Sequence, residues 1–145
     1  MSYESFLLVC TLTAYVFMIG LLALLLLVVR IRAVKSGGAS IKYLRCFEGE
    51  HSDERIVVVA NHFNNQFQLP VLFFIVSALY VALGRTDQVT LGLAWGFFAA
   101  RLLHTAVHLG ENHPLKRATV YSIGLALVLY LWMRLCYLMI TPATG

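Results

Sequence analysis

Apolar residues occupy four long blocks of this 145-residue chain, at 6–29, 56–83, 89–109 and 118–140, separated by short polar punctuation. A helix rises about 1.5 Å per residue and needs roughly 20 residues to cross a bilayer core, so each block predicts a spanning helix. The pattern breaks at the head of the second block, where Ala60-Asn-His-Phe-Asn-Asn-Gln-Phe-Gln-Leu-Pro70 sets five amides and an imidazole among apolar neighbours. Polar groups are costly in hydrocarbon, which makes such a row a candidate buried site between helices.

Helical periodicity sorts these groups into strips. Asn61, Asn64 or Asn65, and Gln68 recur at i, i+3 or i+4, and i+7, and a second strip of His62 and Gln66 is rotated from them. In the third block Arg101, His104 and His108 run at i, i+3 and i+7. With alternating helix directions both sets fall in the same half of the membrane, as do Arg30, Arg32 and Arg117 at helix ends. Mid-span Arg101 finds no acid in its own half, because Asp87 is the only carboxylate between residues 56 and 110 and lies at the far side. A lining of Arg, Asn, Gln and His without carboxylates suits a small anionic ligand rich in amides and carboxylates.

Composition agrees. Hydrophobic residues make up 60% of the chain and charged ones 12%, and the mean hydropathy is +0.79, which sets the class as an all-α integral membrane protein in a single domain over 1–145. The simplest topology is an up-down-up-down four-helix bundle. The first block lacks the basic leader of a cleaved signal peptide, so it is expected to stay as a helix. Basic residues gather at the first loop (Arg30, Arg32, Lys35, Lys42, Arg45, Arg55) and the third (Lys116, Arg117). The positive-inside rule then puts both termini on the non-cytoplasmic side, in the inner membrane of a bacterium or the endoplasmic reticulum of a eukaryote. The net charge of +4 is this loop asymmetry, which argues for lipid headgroups and against nucleic acid. Cys10, Cys46 and Cys136 fit neither a disulfide framework nor a metal spacing, and no metal site is expected. Helix starts are expected at Ser52 or Asp53, at Thr86 or Asp87, and at Pro114. Arg134 is expected to snorkel or to pair across protomers.

Ala100-Arg-Leu-Leu-His-Thr-Ala-Val-His-Leu-Gly110, followed by Pro114-Leu-Lys-Arg117, closely resembles the third helix and following turn of the MAPEG family, the membrane-associated proteins of eicosanoid and glutathione metabolism. The stretch 60–70 with Val71-Leu-Phe-Phe74 behind it is similar to the second-helix signature of that family, in particular of its bacterial members and of the microsomal glutathione transferase and prostaglandin E synthase branch. The resemblance implies a homotrimer of four-helix subunits with glutathione, a co-substrate, bound between protomers, and a lipophilic substrate arriving from the bilayer. By position it implies that Arg117 favours the thiolate and that Arg30, Asn64, Asn65, Gln68, Arg101, His104 and His108 hold the peptide. The family's helix-two Glu is absent: an ungapped match puts Gln66 there and the bacterial pattern puts Gln68 there. The expected function is a glutathione-dependent transferase or peroxidase. The alternatives are a non-catalytic lipid-binding or scaffold protein of the same fold, and a haem or quinone carrier ligated through His62 and His104 or His108.

Overall fold

The computed structural model describes residues 2–46 and 54–141, and within them the chain is helical with no β-strand. α1 (Tyr3–Lys35) starts at Ser2, whose side chain accepts from the Ser5 N–H, and carries Glu4 in its first turn and Arg32 and Lys35 in its last. Those charges complement the helix dipole at each end. It stops at Ser36, and Gly37 follows with φ of 74°, a left-handed conformation that glycine adopts without strain. A short helix that the sequence pattern did not suggest, α2 (Ile41–Cys46), lies in the first loop. The expected helix start at Ser52 or Asp53 lies outside the described residues.

The second apolar block is two helices, not one. α3 (Glu54–Asn65) ends in a tight turn and α4 (Leu69–Ala82) begins after it, with Pro70 in its first turn. Proline at 70 can give no N–H to the carbonyl of residue 66 and its ring clashes there. The chain instead closes i to i−3 bonds, from Gln66 N to Phe63 O at 3.0 Å and from Phe67 N to Asn64 O at 3.1 Å. α5 (Gln88–Leu109) is capped by Asp87, which accepts from the Thr90 N–H, and α6 (Pro114–Ile140) opens on its proline, as the residues predict. The short connections before and after α5 return the chain directly, giving an antiparallel bundle.

α1 buries a single narrow stripe: Ser5, Leu8, Thr11, Tyr15, Met18, Leu22, Leu26 and Ala33. The rest of its surface, including Phe17, Leu21, Leu24 and Leu27, is apolar and exposed, which is tenable only in a lipid solvent or against another protein. Among the described residues three segments are long and apolar enough to cross a membrane: Tyr3–Lys35, the pair Glu54–Ala82, and Pro114–Ile140. The third block, read from the sequence as a fourth span, is not among them: α5 has the length, at 22 residues, but its Arg101, His104, Thr105 and His108 dilute its apolarity.

Aromatic rings fill one part of the core. Phe73 and Phe97 stack at 4.3 Å between centroids, and Tyr15 meets Phe74 edge-on at 5.3 Å. Gly124 of α6 faces this layer, where a Cβ would sit in ordinary contact with Phe97 at 3.6 Å. At the turn before α5, Arg134 of α6 donates to Thr90 Oγ1 at 2.8 Å and pairs with Asp87. Where the sequence suggested snorkelling or a pair across protomers, Arg134 has a partner within the chain, because the cap of α5 places a carboxylate within its reach.

Candidate functional site

Beside the aromatic layer the core turns polar. His62, Gln66, Arg101, His104 and His108 are each at most 2% exposed, a set of groups that a bundle buries only when something satisfies them. They come together because α3 buries Ile56, Val59 and Ala60 against α1. One turn on, that same face carries His62 and then Gln66 inward.

Tyr15 is the hinge between the two layers. Its hydroxyl donates to Gln66 Oε1 at 3.0 Å and accepts from Arg101 Nε at 3.1 Å. Arg101 Nη2 reaches Gln66 Oε1 at 3.3 Å and Asn65 Oδ1 at 3.4 Å, and Nη1 has no partner. No carboxylate pairs with this guanidinium among the described residues: the ion pairs there are Lys116 with Glu111 and Arg134 with Asp87. A buried cation held only by neutral dipoles is an unfinished arrangement, since desolvation of the charge is costly and dipoles recover only part of it.

The histidines form a cluster beside it. Ring centroids lie 4.8 Å apart for His62 and His108, and 5.7 Å for both His62 with His104 and His104 with His108. Thr105 donates to the Arg101 carbonyl at 2.9 Å, and His62 Nε2 lies 3.0 Å from the Thr105 hydroxyl and 3.2 Å from the Gln66 amide nitrogen. The Gln66 amide donates to the His62 carbonyl at 3.2 Å. His62 Nδ1, His108 Nδ1 and both nitrogens of His104 are left buried without partners. No group of three or more His, Cys, Asp or Glu among the described residues is arranged to hold a metal ion.

An open-sided cavity of about 290 Å³ borders the cluster, lined by Asn65, His104, Arg117, Tyr121 and Ser122. Arg117 leans back to Asn112 Oδ1 at 2.8 Å, and its Nε is buried and unpartnered. Asn112 has φ of 51° and gives its N–H to the Val107 carbonyl at 2.8 Å, so the α5–α6 turn itself sets where the guanidinium points.

Two guanidinium groups and several amides thus come together with no acid beside them among the described residues. The MAPEG family pattern matches residues 7–137, nearly the whole chain. The chain belongs to the MAPEG family. That makes it an integral membrane protein of the family concerned with eicosanoid and glutathione metabolism. No curated protein and no solved structure matches it.

Within this MAPEG chain the expected site residues divide. Asn65, Arg101, His104 and Arg117 gather around one cavity and its wall, and His108 stands behind them. Asn64 and Asn61 instead line a separate cavity of about 250 Å³ with Tyr43 and Ile56. Of the two glutamines, Gln66 is buried in the network and Gln68 is exposed at the helix break, because the turn before Pro70 takes Gln68 out of the α3 register. Arg30 is half-buried four residues beyond Leu26, with Nε unpartnered, and bonds to none of the cluster. Tyr15, Thr105, Asn112 and Tyr121 were not anticipated. The 3–4 spacing of Ile56, Val59, His62 and Gln66 was a readable signal for the inward face of α3.

Proposed function

We propose that this protein is a glutathione-dependent transferase or peroxidase of the membrane, acting on lipophilic electrophiles that enter from the bilayer. The observation that carries the reading is Arg101, 1% exposed, with Nη1 unpartnered and no acid in contact. An anionic guest is the natural complement, and the tripeptide brings two carboxylates as well as amides for Asn65 and Gln66.

The chemistry follows from the second cation. A free thiol has a pKa of about 8.5 and is mostly protonated at neutral pH. Arg117, on the cavity wall, favours the thiolate, each unit of depression being worth about 1.4 kcal/mol. The thiolate then attacks a carbon electrophile in conjugation. In peroxide reduction it attacks the distal oxygen, and a second glutathione returns the disulfide, an alcohol and water. The cavity is open on the flank of the protomer, a form that suits closure by a neighbour, and we infer a homotrimer with glutathione at the seams. The basic loops support a cytoplasmic position for that end of the bundle, with both termini opposite.

Titration calorimetry of the detergent-purified protein with glutathione tests this. Binding heat and thiolate absorbance at millimolar ligand are expected, and Arg117→Ala removes the absorbance while the oligomer elutes unchanged. No heat at millimolar ligand rejects the glutathione reading. Retained absorbance in Arg117→Ala rejects the role given to that arginine.

A further inference from the structure

Of the three clustered imidazoles, His104 alone borders the cavity of about 290 Å³, and it is the one whose two ring nitrogens are both buried without a partner. A neutral imidazole carries one donor and one acceptor, and burying both unmatched is costly. His62 differs, because its Nε2 lies within hydrogen-bond distance of the Thr105 hydroxyl and the Gln66 amide. Neither His62 nor His108 lines the cavity.

The other polar groups on that wall are poor proton carriers near neutral pH. Asn65 is an amide, Ser122 an alcohol, Tyr121 a phenol and Arg117 a guanidinium. Amides and alcohols do not titrate in water, phenols do so near pH 10, and guanidinium keeps its proton throughout. Imidazole is the side chain that changes charge between about pH 5 and 8. The cations near His104 are Arg101, one turn back on α5, and Arg117 on α6, and its other titratable neighbours are His62, His108 and Tyr121. No carboxylate forms an ion pair with any of them among the described residues. The anion that a protonated His104 meets is therefore the ligand's own.

We propose that His104 is the proton carrier of the reaction in this cavity. It takes the thiol proton on a ring nitrogen as the thiolate forms beside Arg117, and it returns that proton to the oxygen that leaves a peroxide. The inference rests on the glutathione reading given above. In the first half the thiolate sulfur bonds the distal oxygen, the O–O bond breaks with its electron pair on the other oxygen, and that alkoxide takes the imidazolium proton to leave as the alcohol. In the second half another glutathione thiol gives its proton to His104, its sulfur displaces hydroxide from the sulfenic acid, and the hydroxide takes the proton to leave as water. The sulfur is oxidised, the peroxide is reduced, and His104 ends each half neutral. An aryl halide loses halide, which needs no proton, so conjugation uses only the first transfer.

Proton counting reads that first transfer. Glutathione titrations of the detergent-purified protein at pH 7, in buffers of unlike ionisation enthalpy, give the protons released to solvent, and absorbance gives the thiolate formed. The parent should release almost none per thiolate, because His104 keeps the proton, and His104→Gln about one. Turnover reads the second transfer. His104→Gln should lower peroxide reduction about a hundredfold or more, the scale of lost general acid catalysis, and conjugation of an aryl halide by much less, so that the ratio of the two rates falls roughly tenfold or more. A full proton released per thiolate by the parent, or an unchanged ratio of rates in His104→Gln, overturns the proposal while leaving glutathione as the ligand. The parent's count decides the matter if His104→Gln does not fold. No heat and no thiolate absorbance in the parent rejects the glutathione reading instead, and the proposal falls with it.

Discussion

The Nε of Arg101 donates to the hydroxyl of Tyr15 at 3.1 Å, joining two residues 86 positions apart. Tyr15 hands its own proton on to Gln66 Oε1 at 3.0 Å, so one phenol ties α1, α3 and α5 into a single network. Tyr15→Phe keeps the ring in the aromatic layer and removes both bonds. Leaving buried polar groups unmatched costs about 1–3 kcal/mol, so the melting temperature in detergent should fall, and anion affinity should fall with it as Arg101 loses its fixed orientation. An unchanged melting temperature would show that the network is not a stabilising one.

Arg101 itself separates stability from binding. A buried charge replaced by an apolar side chain of similar length is often neutral or stabilising, whereas truncation leaves a void. Arg101→Met should therefore fold and melt near the parent while losing glutathione affinity by tenfold or more, roughly 1.4 kcal/mol. Arg101→Ala should lose both. Calorimetry beside thermal unfolding in the same detergent distinguishes these outcomes, and full affinity in Arg101→Met would remove the guanidinium from the binding account.

The α5–α6 turn depends on a glycine. A Cβ at Gly110 would meet the Ala106 carbonyl oxygen at 2.8 Å, a contact with backbone that no rotamer can relieve. The same turn sets Asn112, which holds Arg117. Gly110→Ala should cost about 1–3 kcal/mol of stability and also weaken any ligand that Arg117 contacts. Hydrogen exchange of the Asn112 amide, now bonded to Val107, should rise; unchanged protection would mean that the turn absorbs the methyl group.

How much of this was legible differs by element. The long apolar runs located the bundle's rods and the acid-free surroundings of Arg101, because both follow from composition at a given depth. The cap at Asp87 and the start at Pro114 followed from local chemistry. The break between α3 and α4 does not show in the hydropathy, which reads 56–83 as one block, although Pro70 carried the physical reason for it. The amides at 61, 64 and 68 form a tidy helical strip, but that strip is not the buried face of α3. Packing of Ile56, Val59 and Ala60 decided otherwise, and a one-residue rotation of about 100° moves every polar group to another neighbour. Tyr15 left no signal in α1 beyond a place in its buried stripe.

At the opposite turn the carboxyl of Asp87 responds to pH. Burial raises its pKa, but the Thr90 N–H, the Arg134 guanidinium and the Thr90 hydroxyl outweigh burial and hold it below the usual carboxylate value. A depressed folded-state value means that the stabilisation is present above the unfolded pKa of about 3.9 and is lost as pH falls through the folded one. The melting temperature should therefore decline from about pH 5 toward pH 3, and Asp87→Asn should start lower and decline less over that window. Parallel curves for the two proteins would assign the acid sensitivity to other carboxylates.

Adding a carboxylate to each glutamine tests which one faces the site. Gln66 Oε1 stands 3.3 Å from Arg101 Nη2, so Gln66→Glu would supply the counter-ion that the guanidinium lacks. An added ion pair at that distance, buried and also hydrogen-bonded by Tyr15, should raise the melting temperature. It should lower the affinity for an anionic guest, because the guest must now displace or repel a neighbouring charge. Gln68, exposed at the turn before Pro70, should accept Glu with little change in stability. If Gln68→Glu strengthens glutathione binding while Gln66→Glu weakens it, the ammonium of the ligand is read from outside the protomer and Arg101 reads a carboxylate from within. If Gln66→Glu strengthens binding, the group facing Arg101 is not an anion, and the polarity assigned to the site is reversed.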